Sequence, residues 1–320
     1  MNYFDEIRGQ ERAVTLLQNS IKNDNVSHAY VFLGPSGVGK MLTARAFACA
    51  LLERDDEQAA IYFKDGIHPD LLIIEKPENK TTILKEQISQ GMEPWLALKP
   101  YRAGKRVVII RDAHLMRAEA GNALLKTLEE PPLYAVIILL SDEQNLLETI
   151  MSRCQPVRFF PLTEPVIEEM LTGRGIEPEI AVRAARLAQG SFGDALGFAS
   201  GGEIPHAYEI AGEILLALAG GEMISVFDAA EKMEVNPELI TGMLETMLRD
   251  LVIYKHSGRA DSLVLPDNLQ LVQALQDQVD PAKLRRALQQ LDELRRNYRR
   301  HVNALIISTN ISYTLWEALQ

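Results

Sequence analysis

The chain has 320 residues, 47% of them hydrophobic, and a formal net charge of −11. That length supports two or three domains with sizeable cores, and the acidic balance makes the surface as a whole repel nucleic acid, so any DNA contact has to be local or made through a partner. Two cysteines, Cys49 and Cys154, exclude a disulfide framework and a four-cysteine zinc site by count; no apolar run is long enough to span a bilayer, and with no leader pattern at the N-terminus the expected location is the cytoplasm.

In chain order, Val14, Leu17 and Ile21 carry helical spacing over Gln10 to Asn23. A strand over Ala29 to Leu33 follows, then a glycine-rich turn and a helix from Lys40 to about Glu53. Asp70 to Ile74 reads as a second strand, Thr82 to Trp95 as a helix, Arg106 to Ile110 as a third strand, Glu119 to Glu130 as a helix stopped by Pro131-Pro132, and Ala135 to Leu140 as a fourth strand. Strands alternating with helices predict a parallel, doubly wound α/β sheet covered on both faces. From about Pro161 the pattern becomes helical, with Val166 to Thr172, Glu177 to Gln189 and Phe192 to Ala199, a linker at Gly201-Gly202, and only helical periodicity from Ile204 onward, with stops at Gly220-Gly221, Asn236-Pro237, His256-Ser257-Gly258, Pro266 and Asp280-Pro281.

The turn after the first strand, Gly34-Pro35-Ser36-Gly37-Val38-Gly39-Lys40-Met41, has the spacing of a phosphate-binding loop. Such a loop works because glycines let backbone N–H groups curl around phosphate oxygens at a helix N-terminus, while a lysine adds charge and a hydroxyl ligates Mg²⁺. Here Met41 holds the hydroxyl position, and a thioether is a poor ligand for a hard cation. No residues are assigned to a metal. His28, His68 and His114 are lone histidines without a ligand pattern, and Cys49 lies on an apolar helix as a core residue.

Several segments together resemble one family: Phe4 to Gln10, Ser27-His28-Ala29-Tyr30, the glycine loop, Asn122-Ala123-Leu124-Leu125-Lys126-Thr127-Leu128-Glu129-Glu130-Pro131-Pro132, and Ser152-Arg153-Cys154. In this order they are similar to the AAA+ subunits of the bacterial DNA polymerase III clamp loader, which include ATP-hydrolysing motors and a delta-prime branch that does not hydrolyse. The resemblance implies an AAA+ P-loop core over 1–160, a small helical lid over 161–202 and an all-helical collar for oligomerisation over 203–320. Three departures match the delta-prime branch: Met41; Arg111, at the position where motors carry a metal-binding aspartate; and Gly193, where motors carry an arginine for the γ-phosphate. Asp112, beside Arg111, is assigned a capping or salt-bridge role, and Ser141, at the sensor position of motors, an inert one.

The resemblance further implies that Arg153 is an arginine finger reaching into a neighbour's ATP site. The chain would then be a non-hydrolysing stator that partners the loader's gamma/tau-type motor and delta subunits, and meets the sliding clamp and primed DNA through that complex, as part of a DNA polymerase III holoenzyme in replication. ATP or phosphate held without hydrolysis stays open for Gly34 to Met41. Many family members carry a four-cysteine zinc module after the loop helix, and Leu51 to Ile67 contains no cysteine, so zinc is not expected and that segment reads as a loop. An active ATPase subunit of the same family, with Asp112 taking over the metal, stays open as the alternative, as does a P-loop transferase. The arginines at 285, 286, 295, 296, 299 and 300, interleaved with leucines, read as the solvated flank of a collar helix.

Overall fold

The computed structural model describes residues 3–64, 68–77, 80–142, 146–201, 203–300 and 303–320; the side chains of Ala60, Lys64, Arg296, Arg299 and Arg300 lie outside the description. The chain forms two compact units, one comprising Met1–Val166 with Gly190–Gly193, the other Ile167–Gln189 with Asp194–Gln320.

In the first unit, helix α1 (Glu11–Lys22) leads to strand β1 (Ala29–Leu33), and the glycine turn opens α2 (Lys40–Glu53). There follow α3 (Ala59–Lys64), β2 (Leu71–Ile74), a wide π-type turn over Gln87–Met92 running into α4 (Glu93–Ala97), β3 (Arg106–Ile110), α5 (Ala118–Glu129), β4 (Ala135–Ser141), α6 (Glu148–Met151) and β5 (Gln155–Arg158). All five strands are parallel in the order β2-β3-β4-β1-β5, with Phe32 opposite Leu140 on one side and Val157 on the other.

Residue alternation sends one set of side chains to each face, as the period of two requires. Tyr30, Phe32, Val107, Ile109, Val136 and Ile138 pack with Phe47 and Leu51 of α2. Ala29, Val31, Val108, Ile110, Ile137 and Leu139 pack instead with Leu124 and Leu128 of α5. Both faces of the sheet are therefore covered, which is why β1, β3 and β4 read as unbroken apolar runs. The connection after β1 leaves the carboxyl end of a central strand, the place where open α/β sheets position their loops for ligands.

Three segments depart from expectation. The helix predicted over Thr82 to Trp95 is interrupted: Ile83 pairs in a parallel bridge with Met116, and the helix is π-wound through Gly91 before α4. Pro94 lacks the N–H needed to continue an α-ladder, and widening the turn accommodates it. The segment expected as a loop after α2 contains α3, with 65–67 outside the described residues. Strand β5 was not foreseen, because Gln155-Pro156-Val157-Arg158 buries only Val157 and carries a proline, tolerable there on the sheet edge.

The second unit is helical: α7 (Glu164–Thr172) from Ile167 on, α8 (Pro178–Leu187), α9 (Phe192–Gly201) from Asp194 on, α10 (Ile204–Ala219), α11 (Ser225–Lys232), α12 (Pro237–Ser257), α13 (Leu269–Leu275), α14 (Pro281–Arg296) and α15 (Ala304–Leu319). Helix α12 is buried on nearly every side from Leu239 to Leu248, packed against α10 and α14. Its start is capped by Asn236, whose side chain accepts from the Leu239 N–H at 3.2 Å, and Asp280 and Asn303 cap α14 and α15 in the same way. On α14, Arg285 and Arg286 are exposed while Leu284 and Leu291 are buried. Arg295 departs from the solvated flank: it turns inward to Glu245 at 3.4 Å and to Gln189 at 3.1 Å, and the expectation for Arg296, Arg299 and Arg300 falls on side chains outside the described residues. No described helix is long and apolar enough to cross a membrane.

Candidate functional site

The glycine turn is held from below by Gln10, buried at the start of α1. Its amide donates to the carbonyls of Phe160 at 2.7 Å and Val38 at 3.3 Å, and its Oε1 accepts from the Phe160 N–H at 3.2 Å. Val38 is itself buried, Pro35 is exposed, and Ser36 lies between. Gly37 adopts φ 72°, and a Cβ there would meet the Ser191 Oγ at 2.1 Å and the Gly193 nitrogen at 3.1 Å. The Gly193 N–H donates to the Gly37 carbonyl at 3.2 Å, so Gly193 is a backbone contact onto the loop.

Lys40 opens α2 with its side chain 7% exposed. Its ammonium donates to the Gly34 carbonyl at 2.7 Å and to the Pro35 carbonyl, and lies 2.7 Å from Oδ1 of Asp142. An ammonium has three N–H donors, so these acceptors can take all of them. Asp142 directly follows β4, and its own N–H donates to Nδ1 of His114 at 3.3 Å, giving that histidine a structural part. Sequence reasoning missed Asp142: it lies about a hundred residues from Lys40, and no motif contains it.

Met41 is partly buried and packs against the apolar cluster of Phe32 and Phe47. Arg111, half exposed at the end of β3, pairs with Glu75 at 3.2 Å and more loosely with Asp112 at 3.7 Å. Glu75 follows β2, the neighbour of β3 on the side away from β4 and β1, so Arg111 is engaged away from the loop strand. Asp112 holds a left-handed backbone conformation at φ 51° and makes no side-chain cap, which leaves it the salt-bridge role. Ser141 is buried, and its carbonyl accepts from the Gly34 N–H at 3.3 Å. With a thioether packed on the core cluster, a guanidinium at the strand end and a glycine seated on the loop, these residues do not fit a Mg-nucleotide. Among the described residues no group of three or more His, Cys, Asp or Glu is placed to hold a metal.

Arg153 stands apart from this loop chemistry. It follows α6, where Nη2 donates to Glu129 Oε1 at 2.6 Å and Nη1 to the Thr149 carbonyl at 2.9 Å. Its side chain is 35% exposed. The adjacent Cys154 is buried, its thiol pushed up to about 12 by desolvation, and burial likewise lifts Cys49 to about 11, so both stay protonated and inert at neutral pH.

A family model described as DNA polymerase III, delta subunit, matches residues 9–163, and one described as DNA polymerase III, delta subunit, C terminal, matches 213–312. The DNA polymerase III subunit delta' of Bacillus subtilis is 37% identical over 182 residues, covering 54% of each chain. The tau/gamma subunit of Haemophilus influenzae is 33% identical over 213 residues, covering 60% of this chain and 30% of that one. These matches thus span about half or less of the relatives' own length. A solved gamma subunit-related protein of Thermotoga maritima aligns over 95% of this chain and 99% of its own at 20% identity, with a TM-score of 0.47. With both halves matched and a parallel five-stranded P-loop sheet ahead of a helical C-terminal unit, the chain belongs to the DNA polymerase III delta/delta-prime family of AAA+ clamp-loader subunits.

Proposed function

We propose that this chain is the stator of a clamp loader: it does not hydrolyse ATP and instead offers Arg153 to the ATP site of a neighbouring gamma/tau-type motor while the assembly loads a sliding clamp onto primed DNA. The observation that carries this reading is the contrast between two cations of the first unit. Lys40 is buried and spent on its own loop and Asp142, whereas Arg153 lies at the surface. Met41, Arg111 and Gly193 add support. Arg111 puts a guanidinium, itself paired with Glu75, at a strand end where a metal site needs a carboxylate, and phosphoryl transfer rests on positioned metal and cationic groups.

Delta and gamma/tau-type subunits are the expected partners, in the cytoplasm, with the C-terminal helices as the oligomerising collar. Met223, Ile224 and Phe227 are exposed at 56%, 61% and 57% around the start of α11, an apolar patch suited to subunit contact. ATP or inorganic phosphate held without turnover would have to draw Lys40 away from Asp142, and zinc has no part in this reading.

The test is steady-state hydrolysis of Mg-ATP by the purified chain, alone and with Lys40→Ala. We expect no turnover above the protein-free rate in either. Measurable hydrolysis that Lys40→Ala abolishes would instead make the chain a motor subunit.

A further inference from the structure

Glu129 ends α5 with a carboxylate, at the end of a helix where the macrodipole disfavours negative charge. Glu130, Pro131 and Pro132 follow, so the helix cannot run on past this point. Its Oε1 accepts from Nη2 of Arg153 at 2.6 Å, while Nη1 is shared between the Thr149 carbonyl at 2.9 Å and the Ser152 hydroxyl at 3.3 Å. A guanidinium carries five N–H donors, and here the Nε–H and the second Nη2–H find no partner among the described residues. The two side chains are 35% and 52% exposed. Pairs this exposed shift an equilibrium by only about five-fold or less. Among the described residues Arg153 is therefore parked with part of its fork unused and one anionic partner, weakly held.

We propose that Glu129 is a positioning residue for Arg153, a reversible latch that keeps the guanidinium against α5 until the triphosphate of a neighbouring subunit displaces the carboxylate. The idea rests on the reading that Arg153 serves a neighbour's nucleotide. A triphosphate carries several negative charges and more acceptor oxygens than one carboxylate, so it wins the fork, while a neighbour without nucleotide leaves the latch closed. Docking onto a loaded motor thereby has to break the Glu129 pair and is weakened by it, whereas docking onto an empty one leaves the pair intact.

The experiment compares unaltered chain, Glu129→Gln, Arg153→Ala and the double variant for affinity toward the motor subunit loaded with a non-hydrolysable ATP analogue, measured by surface plasmon resonance. ATP dependence of turnover is followed in the reconstituted complex, and melting temperatures report folding. Glutamine keeps an acceptor oxygen and loses the charge, so the fold is expected to melt unchanged. Glu129→Gln should tighten binding of the loaded motor by about two- to five-fold, the range set by an exposed pair, and lower the ATP concentration for half-maximal turnover by the same factor with the maximum unaltered. In the Arg153→Ala background the same substitution should do nothing. The latch is overturned if Glu129→Gln leaves affinity unchanged or weakens it, or acts equally in both backgrounds, while Arg153→Ala still impairs turnover. If Arg153→Ala alters neither binding nor turnover, the stator reading itself fails and takes the latch with it.

Discussion

Asp70 is a carboxylate sealed from water at the start of β2, and its surroundings show how this chain holds the segment between α2 and β3. It accepts the N–H groups of Tyr101 and Arg102 at 2.7 Å and of Ala103 at 3.0 Å, with Arg106 Nε at 3.4 Å. Burial pushes its pKa up, but the three N–H donors and Arg106 outweigh that and hold it below the usual carboxylate range. Beside it His68 accepts the Asp70 N–H on Nδ1 at 3.1 Å, which places the proton of the neutral ring on Nε2, 3.4 Å from Asp56. Desolvation lowers the pKa of His68, so the ring is neutral at pH 7. Asp56 in turn binds Arg102 through both oxygens, at 2.6 and 3.0 Å, and that pairing, against some desolvation, holds its pKa at about 2. Asp70→Ala strands three donors and a buried arginine and should cost on the order of 3 kcal/mol or more in urea unfolding at pH 7. Both folded pKa values lie below the unfolded value of about 3.9. Their contribution is therefore complete above that pH and lost as pH falls toward about 2, and Asp56→Asn should flatten this acid limb. A zinc chelator should leave the melting temperature unchanged, since this polar network supports the segment without cysteine; a fall on chelation would contradict the account.

At the scale of elements, the tight seat of Ser191 and Gly193 on the glycine turn makes a separate prediction. Gly37→Ala needs a left-handed alanine whose Cβ would sit 2.1 Å from the Ser191 Oγ. It should destabilise the chain by about 1–3 kcal/mol, read as a lower urea midpoint at unchanged slope. The boundaries of β1, α2 and β3 were legible because their apolar runs are flanked by glycine, asparagine or charge, and the period of the pattern changes at each edge. The π-wound stretch before α4 was not, because Ile88 and Met92 keep helical spacing while Pro94 and the Ile83 bridge act through backbone geometry. The site divides the same way. Met41, Arg111 and Arg153 are visible as departures or motif members, whereas Asp142 and Glu129 acquire their parts through folding alone, each pairing with a cation far along the chain.

For the whole molecule, the second unit buries its own ionic cluster: Glu245, 3% exposed, lies 3.4 Å from Arg295 and accepts from Gln189 at 2.7 Å. Removing one partner of such a buried pair is costly because the other charge stays behind. Arg295→Ala should therefore lower stability by about 3 kcal/mol or more, whereas Arg285→Ala, on the exposed flank of α14, should change it by less than about 0.5 kcal/mol. The net charge of −11 leaves no general attraction to DNA. The proposed stator role rests on a lysine spent on its own loop and an arginine at the surface. The most direct measurement of that claim is DNA- and clamp-stimulated ATP hydrolysis by the loader reconstituted with its motor subunits, comparing unaltered chain with Arg153→Ala and Lys40→Ala. The account predicts that Arg153→Ala slows the neighbouring site by on the order of 10³-fold while Lys40→Ala leaves turnover intact. Loss of turnover with Lys40→Ala and none with Arg153→Ala would contradict it.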